Sequence, residues 1–384
     1  MSSSIKIVPV SGRALRRAFL AVPDHVYRDD PAWRSPLKFE RAAHLDPSKN
    51  PGAPALADRQ LFLAERAGAY IGRIAAFLNP EYDSYHNEKA GFFGFFDCEA
   101  QPEIGAALLE AAENWLRGRG AQSIIGPAQW SVNEECGLLI DGFETPPVVM
   151  MPHGKPAYQA MIEGAGFKKA TDMYAFQSEL SAGYPRPKMT QAMVRAAQRN
   201  KDITIRPMKA GAFIDEVSLV MDIFNDAWSQ NWGFVPFSEA QIKHMAKEIK
   251  PLIFKEGLWV GEYKGEAIAY IWMIPDLNSA IYDLKGALFP FGWAKLLWRL
   301  KVRGVKQARI PLMGLRRDYH NTRTGLSVVA ALSEAVFEAG RNKGFTHCEL
   351  SWILEDNAGM ISICEQASAA RYKTYRMYEK ALAS

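Results

Sequence analysis

The stretch His347–Lys380, HCELSWILEDNAGMISICEQASAARYKTYRMYEK, decides how the rest of the chain is read. Its first part, Cys348 to Leu354, is mostly apolar and predicts a buried strand. Asp356 and Asn357 carry side chains that cap a helix start, and Ala358 to Ala370 predicts the helix. Thr374 to Tyr378 then predicts an aromatic-rich strand that closes the unit. Strand, carboxylate with amide, short helix and strand together make an α/β unit.

Working outward, the same order of elements occurs twice. In the second half Ile203–Pro207 predicts a strand, Phe213–Gln230 a helix, and Leu258–Tyr263 with Ala267–Ile274 a hairpin turning at Lys264-Gly265. Arg309–Leu315 predicts a strand and Leu326–Arg341 a helix. In the first half Ile5–Val10 predicts a strand, Arg13–Tyr27 an amphipathic helix, and Gln60–Arg66 with Ala69–Leu78 a hairpin turning at Ala67-Gly68. Between them, to about Leu56, the chain is rich in Pro and Asp and reads as irregular. Phe92–Asp97 predicts a dense strand, and Ile104, Leu108, Leu109, Ala112 and Leu116 recur at helical spacing from Pro102 to Arg119. Ser123–Gly126 and a segment from Gly166-Phe167 past Tyr174 predict strands, with a helix at Tyr158–Glu163 between them. A linker is expected from Ala182 to Gln198, where Pro185, Pro187 and basic residues interrupt the apolar pattern.

Composition bounds the rest. With 384 residues there is room for two domains, and 48% apolar with 23% charged residues is ordinary for a globular chain. A net charge of +4 is too small to imply nucleic-acid binding. The four cysteines, Cys98, Cys136, Cys348 and Cys364, form no CxxC pair, so neither a disulfide framework nor a metal site is indicated and a reducing cytoplasm is expected. The N-terminus lacks the apolar run of a signal peptide, and no stretch is long and uncharged enough to span a bilayer.

The C-terminal unit resembles the last third of a GCN5-related N-acyltransferase (GNAT) domain. The runs GFFGFFD (Gly91–Asp97), NEECGLLIDGF (Asn133–Phe143), SWILEDN (Ser351–Asn357) and YKTYRMYEK (Tyr372–Lys380) are similar to those of a group of bacterial GNAT-like proteins of about this length. The resemblance implies an α/β fold of two tandem GNAT-like domains, each a mixed, mostly antiparallel sheet flanked by helices. The expected ranges are 1–182 and 199–384, with an insertion at 285–309.

The resemblance also implies an acyl-CoA or acetyl-CoA donor whose pyrophosphate sits at a helix N-terminus, where amides and the dipole favour an anion. The family's loop has Gln or Arg, two residues, Gly, one residue, then Gly or Ala. His320-Asn321-Thr322-Arg323-Thr324-Gly325 keeps only the last Gly, with Arg316, Arg317 and Arg323 as cationic contacts. Gln101-Pro102-Glu103-Ile104-Gly105-Ala106 keeps the first and last positions, but Glu99 and Glu103 would repel a phosphate. The donor is therefore expected in the second half, held by Arg316, Arg317, Arg323, Thr324, Gly325 and Asn357. The competing reading of the arginines is a solvated loop, and that of Asn357 a helix cap.

Acyl transfer needs an amine stripped of its proton and a thiolate that is protonated or stabilised. Glu355 at a strand end can serve as base. The tyrosine that protonates the thiolate in many GNAT enzymes falls here on Cys364, and on Ile162 in the first half. Tyr372 and Tyr375 are the replacements considered, against the reading that both are core aromatics. Asn133, Glu134 and Glu135 form a polar cluster suited to an acceptor, or simply a solvated turn. Neither spacing nor residue type calls for a metal.

The insertion Lys285–Arg309, KGALFPFGWAKLLWRLKVRGVKQAR, carries seven Lys or Arg, no acid, and two Phe and two Trp. Such a segment suits an anionic membrane surface, or packs as an amphipathic helix on its own domain or a second subunit. The first functional reading is an N-acyltransferase acting on an amine, with a long-chain, sphingoid-like lipid amine as acceptor if the insertion is interfacial. A peripheral position on the inner membrane would then accompany the cytoplasmic one. The alternatives are acetylation of a small soluble amine, a non-catalytic GNAT-fold binding protein, and a transferase resembling those that take amino acids from aminoacyl-tRNA.

Overall fold

Ala67 and Gly68 both have positive φ, 52° and 81°, which makes the two-residue turn whose twist matches that of the strands it joins. Arg66 accordingly pairs with Ala69. Lys264 and Gly265, at 53° and 83°, repeat the device in the second half, where Tyr263 pairs with Glu266. The computed structural model describes residues 4–382 except 182, 184–186, 251–253 and 255. The expected linker overlaps this gap, and its described remainder is mainly helical.

The chain forms two compact units. The first takes residues up to Met173 together with Ile281–Trp293 and the residues from Lys373 on, and the second takes Tyr174–Ala280 and Ala294–Tyr372. The ranges 1–182 and 199–384 follow the order of the repeats, whereas compactness groups the residues across that order.

The first unit holds β1 (Lys6–Pro9), α1 (Gly12–Val26), α2 (Lys38–His44), β2 (Arg59–Arg66), β3 (Ala69–Leu78), α3 (Pro80–His86), β4 (Ala90–Cys98), α4 (Pro102–Arg117), β5 (Ser123–Gly126), β6 (Leu138–Asp141), α5 (Ala157–Gly164) and the start of β7 (Lys168–Glu179). The second holds the rest of β7, then α6 (Lys188–Arg199), β8 (Ile203–Pro207), α7 (Phe213–Trp228), α8 (Glu239–Ile249), β9 (Leu258–Tyr263), β10 (Glu266–Pro275), α9 (Leu277–Ile281) as far as Ala280, α10 (Gly292–Trp298) from Ala294 on, β11 (Gln307–Leu315), α11 (Arg323–Lys343), β12 (His347–Leu354), α12 (Ala358–Gln366) and the start of β13 (Ala370–Ala381).

In the first unit β1, β2, β3 and β4 pair antiparallel in that order, β4 and β5 pair parallel, and β5 and β6 each pair antiparallel with β13. In the second, β8, β9, β10 and β11 pair antiparallel and β11 with β12 parallel. These are the mixed, mostly antiparallel sheets expected. The final strand is a correction: it does not close the second unit, because Thr374 and Tyr378 are registered against Asp141 and Gly126 of the first. Conversely, Phe176 on β7 is buried with Ile353, Cys364 and Ala369 of the second unit.

One helix anchors each core. On α4, Ile104, Leu108, Leu109, Ala112 and Leu116 are all fully buried, and Gly72 on β3 lets the helix come close, since a Cβ there would meet Leu108 at 2.9 Å. On α11, Val328, Leu332 and Val336 are buried with Ile268, Met273, Ala308 and Ile310 of the sheet. Each such side chain contributes about 1.5–3 kcal/mol relative to exposure. Three other readings change. The expected linker contains α6, whose Val194 and Ala197 are buried, and the irregular segment before Leu56 contains α2. The helix after Asn357 ends at Gln366 because Ser368 adopts φ 53° and β13 begins at Ala370.

Candidate functional site

Both units share one local feature. The parallel ladder runs from Ala90–Ser123 to Phe92–Ile125 in the first unit and from Gln307–His347 to Ile310–Leu350 in the second, then stops although β4, β11 and β12 continue. Just beyond, each central strand is out of register with its antiparallel neighbour, and Phe95 on β4 takes φ 50°. A bulge beside an interrupted ladder bends the strand and re-aims its side chains.

In the first unit this gap is filled by protein. Ala128 donates its backbone N–H to the Phe93 carbonyl, and Gly94 passes so close that a Cβ would lie 1.6 Å from the Ala128 oxygen. Trp130 follows, 1% exposed, against Phe77 and Phe95, with the Arg59 guanidinium 5.0 Å from its ring centre. Its indole N–H donates to the His44 carbonyl at 3.0 Å.

The loop after Trp130 is held by α2. Arg41 bonds Glu135, and also Gln129 at 3.1 Å, while His44 Nε2 bonds Glu134. Burial works against the Arg41 charge, but Glu135, Glu40 and Glu134 together outweigh it and its pKa rises. Two of the three expected acceptor residues, Glu134 and Glu135, are therefore engaged, and Asn133 is half-buried beside them. His44 was missed in the sequence because α2 was read as irregular, and only its position one turn after Arg41 hints at a shared face.

In the second unit the end of the ladder carries buried polar groups. Arg309 and Glu349 are in register, 1% and 0% exposed, with Nε 3.6 Å from Oε1. Ser351, two residues on and so on the same face of β12, donates to one Glu349 oxygen, and the Tyr372 hydroxyl donates to the other. Removing one member of a buried ion pair costs about 3–5 kcal/mol, so these groups hold one another in place. Of them only Tyr372 was singled out from the sequence. Tyr375 lies three residues further along the strand, on the opposite face, fully buried in the first unit. The structure does not bring the two tyrosines together.

Glu355 is half-buried in the turn after β12. Asn357 caps α12, accepting from the Met360 N–H at 3.1 Å, so its carbonyl oxygen is committed and its amide nitrogen is the part suited to a ligand. Cys364, where the family's tyrosine would stand, is 1% exposed, and burial pushes its thiol up to about 12.

The start of α11 is capped by Thr322, whose hydroxyl accepts from the Gly325 N–H at 3.0 Å. Gly325 is forced: a Cβ there would sit 2.2 Å from the Tyr319 carbonyl. No acid lies in the first turn. Arg323 is exposed there, with Thr324 half-buried beside it, whereas Arg316 and Arg317 reach back to Asp222 and Asp226 of α7 at 2.7 and 3.4 Å. Such exposed pairs hold weakly. At the start of α4 the situation is reversed, because Glu99 lies there with Arg66 at 2.8 Å and His25 at 3.0 Å, and Arg66 also holds Gln101. A groove of about 610 Å³ runs along the other end of α11, lined by Trp259, Glu334 and Glu338, and is remote in sequence from Gly325. Among the described residues no group of His, Cys, Asp and Glu is placed to hold a metal, and no helix is long and apolar enough to cross a membrane.

The chain is 42% identical over 364 residues to the protein YghO of Escherichia coli (strain K12), covering 95% of this chain and 92% of that protein. It is 39% identical over 384 residues to the bacterial ceramide synthase of Caulobacter vibrioides (strain NA1000 / CB15N), covering 99% and 98%. No protein-family model matches. Among solved structures it resembles a tandem GNAT protein from the clavulanic acid biosynthesis pathway, with a TM-score of 0.58, 11% identity and 99% of both chains covered. A GCN5-related N-acetyltransferase from Sphaerobacter thermophilus gives 0.55 at 11% identity, over 98% and 96%. With two curated relatives aligned along almost their whole length and the fold of tandem GNAT proteins, the chain belongs to the tandem GNAT N-acyltransferases, in one family with YghO and the bacterial ceramide synthase.

Proposed function

We propose that the protein transfers an acyl group from acyl-CoA to the primary amine of a long-chain, sphingoid-like base. The observation that carries this reading is the end-to-end alignment, 39% identical, with a protein named bacterial ceramide synthase. In the reaction the amine nitrogen attacks the thioester carbonyl, a C–N bond forms and the C–S bond breaks. Two protons leave an arriving ammonium and one is needed by the thiolate, so one is released to solvent.

The donor is assigned to the second unit. The first-turn amides of Arg323 and Thr324, the Arg323 guanidinium and the positive end of α11 suit a pyrophosphate, whereas Glu99 disfavours one at α4. Glu355 takes the first amine proton and passes it to water. The second moves to Glu349 as the tetrahedral intermediate forms. Tyr372, bonded to Glu349, gives its phenolic proton to the departing sulfur and is reprotonated from Glu349.

The test is a mass-spectrometric assay of purified protein with acetyl-CoA and with C16 and C18 acyl-CoAs, against sphinganine-type bases and small soluble amines. Long-chain N-acyl product formed in preference to any acetylated small amine is the expected result. Product only from acetyl-CoA and small amines would replace the substrate class. Absence of product, with no acyl-CoA raising the melting temperature, would favour a GNAT-fold binding protein.

A further inference from the structure

Seven of the fourteen exposed large hydrophobic side chains among the described residues fall within twenty-one positions: Tyr282, Phe289, Phe291, Trp293, Leu297, Trp298 and Val302. Phe289 and Phe291 are 83% and 78% exposed, so both rings project into solvent, and Trp293 and Trp298 are about half exposed. The segment is not the continuous amphipathic helix expected. A loop to Phe291 leads into α10 and then a short π-helical turn at Arg299–Arg303. Two of its seven cations are turned inward, Arg309 in the second unit's buried cluster and Arg299 onto the Ala280 carbonyl at 2.7 Å. Lys285, Lys295, Lys301, Arg303 and Lys306 remain exposed.

The patch continues onto α2 within the first unit. The Lys38 N–H donates to the Gly286 carbonyl at 3.0 Å, and Gly286, at φ 74°, lies so close that a Cβ would meet the Pro36 carbonyl at 2.7 Å. Phe39 on that helix is 61% exposed. The same seven-residue helix carries His44, bonded to Glu134.

We propose that Phe39, Phe289, Phe291 and Trp293, with Lys38 and Lys285, all of the first unit, form a docking face for an anionic lipid bilayer, and that α2 ties this face to the His44–Glu134 pair. Aromatic tips flanked by cations match the chemistry of a headgroup region, in which rings enter the acyl boundary and ammonium groups meet phosphate. Exposed rings concentrated in this way mark an interaction surface, and the stretch from Lys285 to Arg309 carries no acid. The inference deepens the reading of a lipid acceptor and rests on it for its purpose, since an amine with a long chain resides in the bilayer.

The test is sedimentation with vesicles of phosphatidylglycerol and phosphatidylcholine. Wild type should bind mixed anionic vesicles at low salt, bind pure phosphatidylcholine weakly, and be released as salt rises. The double variant Phe289→Ser with Phe291→Ser should lose about tenfold or more in vesicle affinity, with an unchanged melting temperature. Met189→Ser, which removes a side chain 63% exposed elsewhere, should bind as wild type does. Turnover of an amine presented in vesicles should fall in the double variant, while turnover of the same amine in detergent micelles stays near wild type. Failure of wild type to bind anionic vesicles overturns the proposal, as does equal binding by the double variant. So does concentration-dependent self-association, without vesicle binding, that the double variant abolishes, because a second copy would then cover the face. Micellar turnover of long-chain amines without vesicle binding would sink the docking face and leave the acyl-transfer reading standing.

Discussion

Tyr372 and Tyr375 both lie on β13, three residues apart. A spacing of three along a strand puts them on opposite faces, and only Tyr372 meets Glu349. Tyr372→Phe should therefore fold normally and lose about two orders of magnitude in turnover, the usual scale for a lost acid or base. A loss confined to KM would mean that the hydroxyl only shapes the cleft. His153 gives a pH signature. It bonds Asp30 at 2.8 Å, but burial dominates and depresses its pKa below 6.5, so the ring is neutral in the folded protein. Below that value the unfolded chain takes up a proton that the folded one resists, so the contribution is complete above about pH 6.5 and fades as pH falls. Melting temperatures between about pH 5 and pH 8 should show this acid-side loss, and His153→Asn should flatten it. A profile identical in the variant would assign the loss to other groups.

At the scale of elements, the helix starts decide where the donor goes. α4 begins beside Glu99, which already holds Arg66 and His25, whereas α11 begins with Thr322, Arg323 and no acid in its first turn. Arg323→Glu should abolish the rise in melting temperature that acyl-CoA gives, with the unliganded protein as stable as wild type. Retention of that rise, with loss on reversing charge near Gln101, would move the donor to the first unit. The elements were largely legible: both hairpins, α4, α11 and the strands around them follow from periodicity and from Gly at positions of positive φ. α2 and β6 were not, because segments of seven and four residues lack a repeat long enough to show a period, and in α6 the spacing of Thr190, Val194 and Ala197 is masked by Pro187 and the basic residues around it. The candidate site was legible only where a motif had a neighbour in sequence. Glu349 is two residues from Ser351, yet nothing in the spacing announces that Arg309, forty positions earlier, is registered against it. The same limit hid the partners of Glu134 and Glu135, which lie about ninety residues away on α2.

At the scale of the whole chain, the repeat order and the compact units disagree, and that disagreement is testable. The first unit takes Lys373 onward, with Tyr378 registered on Gly126 and Ala381 on Ser123, while Arg376 holds Asp172 through two bonds at 2.7 and 3.0 Å. A fragment ending at Asn200 therefore lacks the strand that pairs with β5 and β6. It leaves Leu139, Ile124 and Ile125, all at most 4% exposed in the intact chain, beside an open sheet edge. An unpaired edge of that composition aggregates. A fragment beginning at Lys201 lacks in turn the Phe176 side of the cluster around Ile353 and Cys364. Expressed alone, each half should be insoluble or show no cooperative melting transition. Expressed together, they should co-purify and melt as one cooperative species, because each supplies strand residues that the other half lacks. Independent folding of the 1–200 fragment, with native-like near-ultraviolet dichroism and a sharp melt, would show that the C-terminal strand is an accessory to the first unit and not one of its structural members.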